Sequence, residues 1–320
     1  MNQTLSKKRW WLLIPFSVIA AAMALAEEAN KDEQLFFSDI FLPSLSGGLL
    51  ERLDLSDRKL NLLVSTGDGA RGIAVDPANG KIYWSDIKRQ VISKADLDGK
   101  NQQNIVTAGL DFPFDLDIDV GNKKIYWIDQ AQNKISSANL DGKDQTFLIA
   151  SPCLSPISNS CTAGGGLAID SVKKKLYWTT AYCLNNACSA PESYLGDILR
   201  SDLDGSHIET VVTAIGRPSS IQIDPIEKNV YWTDSVNDVI RRSNLNGTGI
   251  NDLFVVGKNN NPNSLALDLK NGYLYWSQDG DIPNRSCIKR MHLDGKQPED
   301  VKCGFGNIAD IEFVNIPIHH

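Results

Sequence analysis

From about residue 35 onward, the chain alternates short apolar and β-branched runs with clusters of Asp, Asn, Gly and Pro. Four such runs follow one another at residues 72–76, 81–86, 91–97 and 104–106, separated by a turn over 77–80 and by Asp98-Gly99. Runs this short, bounded by turn formers, predict antiparallel strands. No stretch beyond residue 26 keeps the apolar spacing of a helix. The block then recurs. Its marker is Tyr83-Trp84-Ser85-Asp86, which returns as Tyr126-Trp127-Ile128-Asp129, Tyr177-Trp178-Thr179-Thr180, Tyr231-Trp232-Thr233-Asp234 and Tyr275-Trp276-Ser277-Gln278. The five tryptophans lie 43, 51, 54 and 44 residues apart. A period of that size built from strand formers marks a repeat architecture.

A worn sixth copy, Phe36-Phe37-Ser38-Asp39, comes first and lacks a strand ahead of it. The missing strand is found at the other end, where Ala309-Asp310-Ile311-Glu312-Phe313-Val314 matches Gly72-Ile73-Ala74-Val75. The expected fold is therefore all-β: a six-bladed β-propeller of four-stranded antiparallel blades, its ring closed by the C-terminal strand joining the N-terminal blade. The Tyr and Trp of each motif are expected to pack blade against blade. The Asp-Gly turn returns at Asp141-Gly142, Asp204-Gly205, Asn246-Gly247 and Asp294-Gly295. Glycine there tolerates the positive φ that a tight turn demands.

These residues closely resemble the YWTD, or class B, repeats of the low-density lipoprotein receptor family. The resemblance covers residues 36–314 and rests on the motif, the Leu-Asp-Gly turns and the Asp closing each first strand (Asp76, Asp119, Asp170, Asp224 and Asp268). It implies a propeller that serves as a recognition module. No growth-factor-like or cysteine-rich ligand-binding module flanks the repeats in this sequence, so a binding platform is what carries over, not a receptor role.

Lys7, Lys8 and Arg9 precede an apolar run ending in Ala24-Leu25-Ala26, the pattern of a cleaved signal peptide over 1–26. Residues 27–34 read as a flexible segment, 35–316 as the propeller and 317–320 as a short tail. Residues 27–320 hold no further membrane-span candidate, and a secreted or periplasmic monomer is expected. The net charge of −7 becomes −10 without those three cations. That balance excludes a nucleic-acid partner, which needs clustered Lys and Arg. All six cysteines lie beyond the leader, in keeping with an oxidising compartment. Cys287 and Cys303 flank the Asp294-Gly295 turn symmetrically and are placed to bridge that hairpin. Cys153 with Cys161 and Cys183 with Cys188 are each placed to close one loop, exchange between the two loops being the alternative.

Loop lengths divide the two faces. Turns after first and third strands are short, whereas 40–48, 150–165, 181–196, 258–263 and 279–286 all follow second or fourth strands. Long loops on a rigid scaffold carry function. This face is expected to bind a protein, peptide or glycan, with Tyr182 and Tyr194 as aromatic contacts. At the channel mouth the first strands supply Arg71, Phe112, Phe114, Arg217, Asn263 and Asn307, a set suited to an anionic or amide-bearing group. Deeper, where small residues dominate, Asp115, Asp117, Asp310 and Glu312 stand out. They are candidate ligands for Ca²⁺ or another divalent cation, or solvated acids in a wet channel. Hydrolase signatures such as Gly-x-Ser-x-Gly and His-Glu-x-x-His are missing, and no cofactor is certain. The alternative to a recognition module is a metal-dependent hydrolase or lyase, lactonase-like, using the channel acids.

Overall fold

The computed structural model describes residues 33–39, 48–67, 69–150, 162–183, 194–258, 260–279 and 286–315. Strands β1 (Glu33–Asp39), β2 (Leu49–Asp54) and β3 (Lys59–Ser65) form the first sheet with β24 (Ile308–Asn315). Blade 2 holds β4 (Ala70–Asp76), β5 (Lys81–Asp86), β6 (Val91–Asp96) and β7 (Gln103–Val106). Blade 3 holds β8 (Pro113–Asp119), β9 (Lys124–Asp129), β10 (Lys134–Asn139) and β11 (Thr146–Ala150). Blade 4 holds β12 (Thr162–Asp170), β13 (Lys175–Cys183), β14 (Tyr194–Asp202) and β15 (Glu209–Ile215). Blade 5 holds β16 (Pro218–Asp224), β17 (Asn229–Asp234), β18 (Val239–Asn244) and β19 (Asn251–Val255). Blade 6 holds β20 (Pro262–Asp268), β21 (Tyr273–Gln278), β22 (Ser286–His292) and β23 (Glu299–Phe305).

Each sheet is a four-stranded antiparallel meander, and β24 pairs with the inner edge of β1 in the register Phe36↔Glu312 and Phe37↔Ile311. The strands β4, β8, β12, β16, β20 and β24 pack one against the next and back to the first, so they line the axis. The six-bladed ring and its closure by the last strand are as the repeat count required.

What holds blade to blade is the motif's aromatic pair. Tyr83 of blade 2 shares a core cluster with Trp127 of blade 3, and Tyr126 with Trp178, Tyr177 with Trp232 and Tyr231 with Trp276 in turn. Phe37 meets Tyr275 and Phe36 meets Trp84, so the worn copy fills both of its seams with phenylalanine. All five tryptophans are at most 2 % exposed. Burying a ring of that size contributes about 1.5–3 kcal/mol or more at each seam.

The motif's third residue solves a polar problem at the channel. In each blade the pairing of first and second strands slips by a bulge, as between Ala70 and Ile73 or Pro218 and Ile221. A bulge frees a backbone N–H that must find another acceptor. The motif hydroxyl accepts it: Gly72 N–H donates to Ser85 (3.0 Å) and Ser220 N–H to Thr233 (3.0 Å). The same hydroxyls donate onward to the next blade, to Phe114 O (3.0 Å) and Asn263 O (3.0 Å). Small residues on the inner strands permit this approach. A Cβ on Gly72 would lie 2.7 Å from Asp115 Cα.

Cys287 and Cys303 sit opposite each other on β22 and β23 and are disulfide-bonded, as the hairpin symmetry implied. The pairings expected of Cys153, Cys161, Cys183 and Cys188 fall on side chains outside the described residues.

Candidate functional site

The motif's last residue shapes the face of long loops. Asp129 accepts from Asp111 N (2.8 Å) and Phe112 N (3.2 Å), and Asp39 from Gly306 N (3.0 Å) and Asn307 N (3.1 Å). A buried carboxylate thus fixes the backbone that leads into the first strand of its own blade, which is the backbone carrying the mouth residues. Blade 4 departs from this pattern. Thr180 replaces the Asp, and its hydroxyl accepts from Asp197 N (3.1 Å). Asp197 is itself buried and accepts from Tyr182 (3.3 Å) and Thr213 (2.9 Å).

That network corrects one expectation. Tyr182 is 2 % exposed and its hydroxyl points inward, so it is a strut beneath the long-loop face and not a contact on it. The reason is that β13 runs on to Cys183, carrying Tyr182 into the sheet opposite Leu195. Asp197, which the sequence reading passed over, is the polar centre of this blade. The Thr at position 180 was the signal available for it.

Arg71, Phe114, Tyr194, Arg217, Asn263 and Asn307 converge on one cavity of about 650 Å³ at the channel mouth. Phe112 stacks on Phe114 from behind, ring centroids 6.0 Å apart. Arg71 of blade 2 and Arg217 of blade 5 stand on opposite sides of the ring. Each guanidinium lies over an aromatic ring, Arg71 5.5 Å from the Phe114 centroid and Arg217 5.1 Å from that of Tyr194. Neither has a carboxylate within ion-pair distance among the described residues. Arg71 Nε and Asn307 Oδ1 are buried without a hydrogen-bond partner there. Burial lowers the Arg71 pKa from the ordinary arginine value, yet a guanidinium stays charged. Two cations without an ion-pair partner among the described residues, in a concave site of a chain of net charge −7, favour an anionic occupant. From Tyr194 an open groove of about 660 Å³ continues outward between blades 4 and 5, past Leu195, Ile215, Val236 and Arg241.

Below the mouth, Asp115, Asp117, Asp310 and Glu312 surround a chamber of about 50 Å³ with Ser220 and Gln222. Asp115 and Asp310 line both spaces. Three of the acids hold the ring together. Asp115 accepts from Leu167 N (2.7 Å) and Asp117 from Ile169 N (2.8 Å), tying β8 to β12, while Asp310 accepts from Ile73 N (2.8 Å) and Ser264 Oγ (2.6 Å). Blade 3 has Ile128 where the other blades carry the motif hydroxyl, and its described side-chain bonds to the next inner strand come from Gln130, Asp115 and Asp117. All four acid side chains are half-buried. Burial pushes Asp117 up to about 7 and raises Asp310; burial and the nearby Asp310 charge raise Asp115. Burial followed by repulsion from Asp117, Asp310 and Asp115 raises Glu312 well above the usual range.

Among the described residues no group of three or more His, Cys, Asp or Glu side chains is placed to hold a metal ion. The four acids named as candidate divalent-cation ligands are spread over two strands, and three of them already spend lone pairs on N–H and O–H donors. His207 and His292 sit on the turn face, bound to Asp202 (2.7 Å) and Gln297 (3.1 Å). No described helix is long and apolar enough to cross a membrane.

Fold and mouth together define a six-bladed propeller of YWTD blades with a polar, cation-bearing axial cavity. The chain carries low-density lipoprotein receptor class B, or YWTD, repeats: the family model for the low-density lipoprotein receptor repeat class B matches residues 80–120, 123–156 and 228–269. The chain is 37 % identical over 73 residues to low-density lipoprotein receptor-related protein 5 of Mus musculus, covering 23 % of this chain and 4 % of that protein. It is 28 % identical over 251 residues to protein cueball of Drosophila grimshawi, covering 77 % of this chain and 31 % of the relative. It therefore spans under a third of the length of either relative. A chain of a nidogen/laminin complex superposes with a TM-score of 0.69 at 18 % identity, over 89 % of this chain and 100 % of that one. TolB of Acinetobacter baumannii superposes at 0.66 with 13 % identity, over 93 % and 71 %. At these identities the structural matches speak for the fold alone.

Proposed function

We propose that this protein is an exported recognition module that binds a protein or peptide partner on the long-loop face, anchored in the channel mouth. The observation that carries the reading is the mouth cavity, where two arginines and a buried asparagine oxygen find no partner among the described residues. Its continuation into the blade 4–5 groove offers a partner both a polar anchor and an apolar flank, the usual anatomy of an interface. A glycan with an acidic sugar would use the same anchor. The similarity to a low-density lipoprotein receptor-related protein makes a protein partner the first choice. The leader-like residues 1–26 and the Cys287–Cys303 disulfide support export. The propeller acts as a monomer in this reading, since β24 completes the N-terminal blade within one chain.

Affinity capture with quantitative mass spectrometry tests the face directly. Wild type, an Arg71→Gln/Arg217→Gln double variant and a turn-face variant, Lys173→Ala/Lys228→Ala, are compared as baits. A partner kept by wild type and the turn-face variant but lost from the double variant is the expected result. Retention by the mouth variant with loss from the turn-face variant would place binding on the wrong side and end the proposal.

A further inference from the structure

The mouth and the chamber share two acids, and this sharing has a chemical consequence. Asp115 and Asp310 form the floor of the cavity whose walls hold Arg71 and Arg217. An anion that enters to meet the arginines therefore comes to rest above carboxyl groups. Those carboxyls are crowded: four stand on β8 and β24, the strands on either side of β4, around about 50 Å³. A chamber of that size holds on the order of three waters and no counter-cation side chain reaches it among its lining residues.

We propose that the channel mouth takes a carboxylate of its ligand between Arg71 and Arg217, and that the acid chamber beneath takes up protons as it does so, making capture tighter at acid pH. This deepens the recognition reading and rests on it. A carboxylate fits better than a neutral amide because each guanidinium offers a planar fork of donors to two oxygens. It fits better than a phosphate dianion because the floor itself is acidic, so extra negative charge is penalised.

The proton linkage follows from reciprocity. If a bound anion makes ionisation of the floor acids harder, protonation of those acids must make the anion bind tighter by the same factor. The groups bearing on this are few. On β8, Asp119 adds repulsion to Asp117. From β4 comes Arg71, from the start of β16 Arg217, and from the rim Asp279, whose carboxyl burial also raises. From β12, β16 and β20 the neighbours of the acids are Leu167 and Ile169 amides, Ser220, Gln222 and Ser264, none of which titrates. Both arginines keep their charge across the range, so the floor is what changes. With Asp117 raised to about 7, the response falls at mildly acidic pH, where the ligand carboxyl, ordinarily near 3.9, is still ionised.

The probe is N-acetyl-aspartate methylamide, with N-acetyl-asparagine methylamide as its neutral counterpart. Both are titrated into the full chain in low salt and followed by NMR at about pH 8.0 and 5.5. The acidic probe is expected to bind about tenfold tighter at the lower pH, at most tenfold per pH unit for each proton taken up. The amide probe should be weaker and insensitive to pH. Arg71→Gln and Arg217→Gln, on opposite blades, should each weaken the acidic probe while the melting temperature holds. In side-chain carboxyl ¹³C titrations the saturating acidic probe should raise the midpoints of the channel acids, and Asp117→Asn should shrink the pH effect. Equal binding of both probes overturns the carboxylate assignment. Affinity that is flat with pH, or unmoved carboxyl midpoints, overturns the proton linkage. If neither probe binds although partner capture still requires the arginines, this inference fails and the recognition reading stands.

Discussion

Ring closure makes a prediction that can be worked from side chains 274 residues apart. Ile311 on β24 is fully buried and sits opposite Phe37 of β1 in one core cluster with Tyr275, Ile288 and Phe305. Ile311→Ala removes three carbons, worth about 0.8 kcal/mol each in transfer alone, or about 2.4 kcal/mol. The cavity left in a rigid seam adds to this, so a loss of about 3 kcal/mol is expected, within the usual span of about 2–5 kcal/mol. Against a total stability of roughly 5–15 kcal/mol that is a large fraction. Urea unfolding followed by tryptophan fluorescence reads it, because the tryptophans lie in the other seams. Ile226→Ala, at a position 71 % exposed, should change stability by less than about 0.5 kcal/mol. The double variant Phe37→Ala/Ile311→Ala should deviate from additivity by about 0.5 kcal/mol or more, as contacting residues do. A loss below about 0.5 kcal/mol for Ile311→Ala, or strict additivity with Phe37→Ala, would mean that β24 is not part of the cooperative ring.

Other outcomes follow from the same geometry. Replacing Cys287 and Cys303 by Ser should cost about 3 kcal/mol from the 16-residue separation they constrain, read as a lowered urea midpoint. Stability should fall as pH rises. Asp117 and its neighbours hold protons in the folded channel that the unfolded chain has already released, so their contribution is complete below about pH 4 and lost by about pH 7. Asp117→Asn should flatten that part of the profile, and a midpoint rising from pH 5 to pH 8 would refute the sign. Tyr182→Phe should destabilise by about 1 kcal/mol through the lost Asp197 contact while leaving partner capture unchanged. Loss of capture at full stability would return Tyr182 to the binding face.

The fold was legible because the features that decide it are local and repeated. Tyr, Trp and the motif hydroxyl recur at fixed offsets, and each has one job: Tyr231 fills the next seam, Trp232 fills the previous one, and Thr233 covers the bulge at Ser220. Half-worn copies remained readable since Phe36 and Phe37 keep the bulk of the pair. The channel residues were legible as positions, because the inner strands can be aligned across copies. Their occupations were not. That Asp115 and Asp117 bind Leu167 and Ile169 amides depends on how closely two blades approach, a distance the sequence does not carry. Tyr182 was misplaced for a related reason: a longer second strand in blade 4 turns an apparent loop residue into a buried one.

Site-specific photo-crosslinking tests the central claim, that the mouth is where a partner docks, most directly. A photoreactive phenylalanine analogue placed at Tyr194 or Ser235 borders the mouth, and one at Val172 or Ile226 marks the turn face. The account predicts a discrete adduct from the mouth positions that disappears with Arg71→Gln/Arg217→Gln, and none from the turn face. Adducts from Val172 or Ile226 that persist in the arginine double variant would contradict it.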